Sequence, residues 1–120
     1  MSDTTIYDGT DLIRAMQVKV AELEKGLNDL KSGGIALAEA EKQYKIMLTK
    51  SALSLKQQGY TATMLDKILY GLEDVAELRY ERDVANAIYE ARKERVNATK
   101  LEIRILENQI SREYGKGGGL

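Results

Sequence analysis

The chain has 120 residues, 43% hydrophobic and 31% charged, with a formal net charge of −1 and no proline, cysteine, histidine, tryptophan or phenylalanine. That mix suits one domain of amphipathic helices rather than a disordered chain, and the missing residue types exclude the usual zinc sites, thiol nucleophiles, Ser-His-Asp triads and disulfide scaffolds. A net charge so close to zero also excludes a global basic field that would recruit nucleic acid.

At the N-terminus, residues 1–10 are expected to form a disordered leader. The opening MSDTTIYDGTD is polar and acidic and reads as neither a signal peptide nor an organellar presequence. No apolar run approaches the roughly 18 residues of a membrane span, so a cytoplasmic protein without a membrane partner is expected. Thr10 or Asp11 can cap the first helix, because either side-chain oxygen can accept an orphan amide of its first turn.

Ile13, Met16, Val20, Leu23, Leu27 and Leu30 then fall in 3-4-3-4 spacing among mostly polar residues. This narrow seam predicts a coiled-coil helix over 11–32 whose apolar line winds around another helix. An ordinary amphipathic helix packed on its own domain would carry the same line. Gly33-Gly34 is read as the end of that helix, since two residues free to take positive φ let the chain turn. A middle helix is expected over 35–58, with Leu37, Ala40, Tyr44, Met47, Leu48, Leu53 and Leu55 as its apolar members. Gly59 followed by Tyr60 suits a Schellman stop.

The stretch GYTATMLDKILYG predicts a short corner helix over 63–70, capped by Thr61 or Thr63, with Asp66 in its first turn and Gly71 closing it. A long helix follows over 73–114. At about 1.5 Å per residue it would span on the order of 60 Å, too long for a 120-residue globule, so it must bend, project or pack on other chains. It carries two apolar stripes. Val75, Leu78, Ala85, Tyr89, Val96, Ile103, Leu106 and Ile110 form the first; Val84, Ile88, Ala91, Ala98, Leu101 and Ile105 form a second, offset around the helix. A helix apolar on two faces is one that a bundle or an oligomer buries on both. The terminal GKGGGL, residues 115–120, reads as a flexible tail.

Three groups of residues are candidates for function. Glu73, Asp74, Glu77 and Glu81 lie within two turns and could hold a divalent cation, although acids at a helix start are already explained by the helix dipole. Arg92, Lys93, Arg95, Lys100 and Arg104 could follow a phosphate backbone, but Glu90, Glu94, Glu102 and Glu107 are interleaved, and surface charge pairs account for the pattern more simply. Tyr60, Met64, Leu65, Ile68 and Tyr70 make the corner more apolar than a bare turn requires. They either cap one end of a bundle or form a docking surface for a partner. No glycine-rich phosphate loop, catalytic constellation, metal site or cofactor site emerges.

The corner GYTATMLDKILYG, together with LRYERDVANAIYEARKERVNATKLEIRILENQISREYG, resembles small helical proteins encoded by phages and prophages. The likeness covers roughly residues 41–115: a glycine-ended helix, a short apolar insert, then a long helix running into Arg-Glu-Tyr-Gly. It implies an accessory role beside phage recombination or replication genes, in the cytoplasm of a bacterial host. A weaker likeness is to the recombination mediator of T-even phages, a helical oligomer that loads recombinase on single-stranded DNA. This chain departs from it in its diluted basic face and slightly negative charge, and no binding residue is carried over.

The expectation is thus an all-α protein: a long antiparallel helical hairpin with an N-terminal coiled-coil helix and a short corner helix. Its expected role is that of a non-catalytic interaction protein that homo-oligomerises and docks a protein partner. A direct single-stranded nucleic-acid binder and a helical chaperone or assembly factor are the alternatives.

Overall fold

A computed structural model describes residues 9–118, so the expected leader lies, but for its last two residues, outside the described residues. The fold is all-α, of the helical hairpin class. Helix α1 spans Gly9–Gln57, α2 spans Ala62–Ile68, a 3₁₀ turn covers Leu69–Gly71 and α3 spans Glu73–Gly118. Thr10 and Asp11 therefore lie inside the first turn of α1 rather than capping it.

The largest departure from expectation is at Gly33-Gly34. The two helices expected over 11–32 and 35–58 are a single helix, α1, which runs through both glycines. Packing explains the continuity. Gly33 is buried, and the ring of Tyr89 lies against Gly34, where an added Cβ would stand 3.4 Å from Cε1. Each glycine costs the helix about 1 kcal/mol relative to alanine, and packing of this stretch, with Tyr89 against Gly34, holds the helix together despite that cost. Proline, which would have removed an amide and clashed with the preceding turn, is absent from the chain.

The true stop is Gly59, the only glycine among the described residues with positive φ, at 94°. Its amide donates to the Lys56 carbonyl at 3.1 Å, and the Tyr60 amide donates to the Leu55 carbonyl at 3.2 Å. Those two bonds make the expected Schellman motif, and Tyr60 packs on the cluster that contains Leu55. Thr61 caps α2, its hydroxyl oxygen accepting from the Met64 amide at 3.3 Å. Because α2 begins at Ala62, Asp66 sits beyond its first turn. The corner ends one residue past the expected helix, as a 3₁₀ turn through Gly71. Glu73 and Asp74 then open α3, where acids complement the helix dipole. The backbone of α3 continues past Tyr114 to Gly118, so the expected tail is helical through that residue.

The chain divides into two compact units: Lys31–Ala91, and the chain up to Leu30 together with the chain from Arg92. In the corner unit, Tyr44, Leu55, Leu69 and Val75 form the buried cluster, with Met47, Leu48, Leu65, Ile68 and Leu78 packed around it. Helices α1 and α3 run antiparallel there: Gly34 meets Tyr89 while Tyr44 meets Arg82, whose guanidinium carbon lies 4.6 Å from the ring centroid. In the other unit Lys19 meets Glu102, Gly26 meets Val96 and Asp29 meets Arg92, again antiparallel.

The packing row of α3 keeps a strict 3-4 rhythm. In the corner unit it is Val75, Leu78, Arg82, Ala85 and Tyr89; in the other it is Arg92, Val96, Thr99, Ile103, Leu106 and Ile110. Every one of them is buried or half-buried. The first apolar stripe read from the sequence is thus the packed one. All six members of the second stripe, from Val84 to Ile105, are exposed.

Candidate interaction surface

The N-terminal seam splits in two. Met16, Leu23 and Leu30 are half-buried toward α3, in a row that also includes Leu12, Lys19 and Gly26. Ile13, Val20 and Leu27, seven residues apart, stay 41%, 41% and 44% exposed. Residues at that spacing recur on one side of a helix, so they form an apolar line that the chain's own packing leaves uncovered. The inward row was recognised only in Met16, Leu23 and Leu30, because Lys19 and Gly26 stand where an apolar residue is expected. Lys19 is held by Glu102 at 3.1 Å and Glu22 at 3.2 Å, and Gly26 makes room for Val96. Hydrogen bonds from Lys19, to Glu102 foremost and then to Glu22, raise its pKa above the ordinary lysine value.

At the corner, Leu69 is buried, while Tyr60, Leu65 and Ile68 are half-buried against the same cluster. Met64 and Tyr70 remain exposed. Three of the four aliphatic corner residues therefore cover the end of the core, and Met64 is the one left facing outward.

The five basic residues are not equivalent. Arg92 is half-buried, its Nη1 donating to the Asp29 carbonyl at 2.8 Å, and Lys93 is also half-buried. Arg95, Lys100 and Arg104 are exposed. The structure thus withdraws Arg92 from any phosphate-tracking face. A further arginine in the packed row, Arg82, stacks on Tyr44 and is anchored by Asp83 at 2.8 Å; hydrogen bonding to Asp83 raises its pKa. Nothing in the sequence pattern flags it, because a charged residue at a core spacing reads as a solvated one.

Glu77 and Glu81 are both exposed, and among the described residues no group of three or more carboxylates converges as a metal site. No helix of the described residues is long and apolar enough to cross a membrane. A half-open groove of about 430 Å³ lies beside Tyr44, Lys45 and Arg82, and another of about 410 Å³ beside Ala36, Ala40 and Leu78. Among the described side chains, no buried nitrogen or oxygen lacks a hydrogen-bond partner. What the described surface offers instead is apolar rows on helices.

Comparison with protein families, with characterised proteins and with solved structures finds no match.

Proposed function

We propose that this protein is a non-catalytic helical interaction module, associating with copies of itself and with a protein partner through apolar residues that its own packing leaves uncovered. The observation that carries this reading is the line Ile13, Val20 and Leu27, exposed at a coiled-coil interval on a helix whose opposite side is already packed. The likeness of residues 41–115 to phage-encoded helical proteins supports placing the partner in phage DNA metabolism, in the host cytoplasm. Light scattering over a concentration series tests the reading. Mass should rise with concentration, and Val20→Glu should lower it without loss of helicity. A wild-type chain that stays monomeric throughout would overturn self-association.

A second reading, direct binding of single-stranded nucleic acid, is favoured by one observation: Arg95, Lys100 and Arg104 are exposed and have no ion pair among the described residues. Phosphate contacts weaken steeply with salt. Oligonucleotide binding that falls with added salt and is lost on Lys100→Glu would select this reading over the first. Absence of binding at low salt removes it.

A further inference from the structure

A third apolar-bearing row lies on α1 within the corner unit. Ala36, Glu39, Gln43, Ile46, Lys50 and Leu53 recur at 3-4-3-4-3 spacing, and all six are exposed. Such a row is a coiled-coil seam by geometry, yet its residues are not uniformly apolar. Their order decides what can cover it. Laid antiparallel against itself about a point midway between Tyr44 and Lys45, the row becomes self-complementary. Ala36 faces Leu53, Glu39 faces Lys50 and Gln43 faces Ile46, each pairing occurring twice. The smallest side chain meets the largest aliphatic, and acid meets base. A parallel pairing would set Glu39 against Glu39 and Lys50 against Lys50, which like-charge repulsion disfavours.

The surroundings fit this arrangement. The groove of about 410 Å³ is lined by Ala36, Ala40 and Leu78 together with Glu39, Gln43 and Glu81. It lies where Leu53 of a second copy would arrive over Ala36, giving that exposed leucine an apolar place to bury. Among the described residues Lys50 has no ion pair, and the Glu39 carboxylate likewise has none, accepting a hydrogen bond from the neutral amide of Gln43 at 2.8 Å. Both charges are therefore available to a second chain.

We propose that the α1 row Ala36–Glu39–Gln43–Ile46–Lys50–Leu53 is a two-fold, antiparallel docking seam for a second copy of this chain, with Leu53 of each copy entering the Ala36–Ala40–Leu78 groove of the other. The contact is isologous, so it closes as a dimer rather than growing into a fibre. It rests on the reading of the protein as a self-associating module and adds a face distinct from Ile13, Val20 and Leu27.

Charge reversal with the full chain tests it by sedimentation velocity. E39K and K50E each place like charges at two symmetric points, so each should weaken dimerisation about tenfold. The double variant E39K/K50E should regain wild-type association, because Lys at 39 then meets Glu at 50. Mixing the two single variants should give heterodimers for the same reason. Single reversals without effect, or a double variant that stays as weak as the singles, would overturn the seam. The series is repeated with Val20→Glu. Association that persists there and responds to the charge swaps supports this seam. If Val20→Glu alone abolishes association, the seam is overturned while the proposed function stands. A wild-type chain that never associates overturns both.

Discussion

The ring of Tyr89 lies directly over Gly34, so that a Cβ at Gly34 would meet it at 3.4 Å, an ordinary van der Waals distance. Gly34 has helical backbone within α1 and gains nothing from glycine's freedom. Gly34→Ala should therefore stabilise the protein by about 0.5–1 kcal/mol through recovered helix propensity. Gly26→Ala should gain less, because its Cβ would stand 3.3 Å from Cγ2 of the buried Val96. Gly59→Ala should act in the opposite direction, costing about 1–2 kcal/mol at a φ of 94°. Denaturant midpoints of the three variants check both the order and the signs.

Arg92 is held by a backbone rather than by a carboxylate: its Nη1 donates to the carbonyl of Asp29. Truncation removes a charge-assisted hydrogen bond and the packing of a half-buried stem. Arg92→Met should cost about 1–2 kcal/mol in urea unfolding. Lys100→Met, at an exposed position, should stay within about 0.5 kcal/mol of wild type. Equal effects at the two sites would contradict the structural role given to Arg92.

The corner separates covering residues from presented ones. Val75 is fully buried beneath Leu55 and Leu69, and Val75→Ala should lose about 2 kcal/mol through lost burial and the cavity left behind. Met64 is 48% exposed, so Met64→Ala should leave stability within about 0.5 kcal/mol. A partner that docks on the corner would lose affinity with Met64→Ala while the fold stays intact. Thermal melts and a pull-down with the same two variants distinguish the roles.

Lys19 supplies a pH dependence. Its pKa is raised above the ordinary lysine value by hydrogen bonds to Glu102 and Glu22. A raised folded value favours the folded state wherever the lysine is charged in both states. The contribution is therefore complete below the ordinary lysine range and is lost as pH rises through the raised value. The stability gap between wild type and Lys19→Met should stay level from neutral pH to about pH 10 and narrow above it. Because these side chains are only partly covered, the gap itself should be under about 1 kcal/mol and should shrink with salt.

The long helix was readable in the sequence because its two apolar stripes differ in register; the one that packs is the longer, eight residues from Val75 to Ile110, although Arg82, Arg92 and Thr99 interrupt its apolar rhythm. The Schellman glycine and the threonine cap were readable because each rests on a local hydrogen bond. The inward row of α1 was readable only in Met16, Leu23 and Leu30. Lys19 and Gly26 occupy core spacings for reasons that lie on α3: an acid at Glu102 and a methyl of Val96. A reading restricted to apolar residues settles one position away, on Ile13, Val20 and Leu27, and takes a glycine pair in a packed helix for a break. The same blindness hides Arg82 and Arg92, whose partners are a ring and a carbonyl distant in sequence.

The Gly59 stop also sets the order in which the chain can assemble. Tyr44 and Arg82 are joined by a far shorter loop than Asp29 and Arg92, which are 63 positions apart, and Lys19 and Glu102 close a longer one still. Closing a loop costs about 0.6 kcal/mol more for each doubling of its length. The cheapest first contact is therefore beside the corner, where the Schellman bonds and the Thr61 cap need no distant partner. Folding should nucleate there and zip outward along α1 and α3, with the far ends of those two helices forming last.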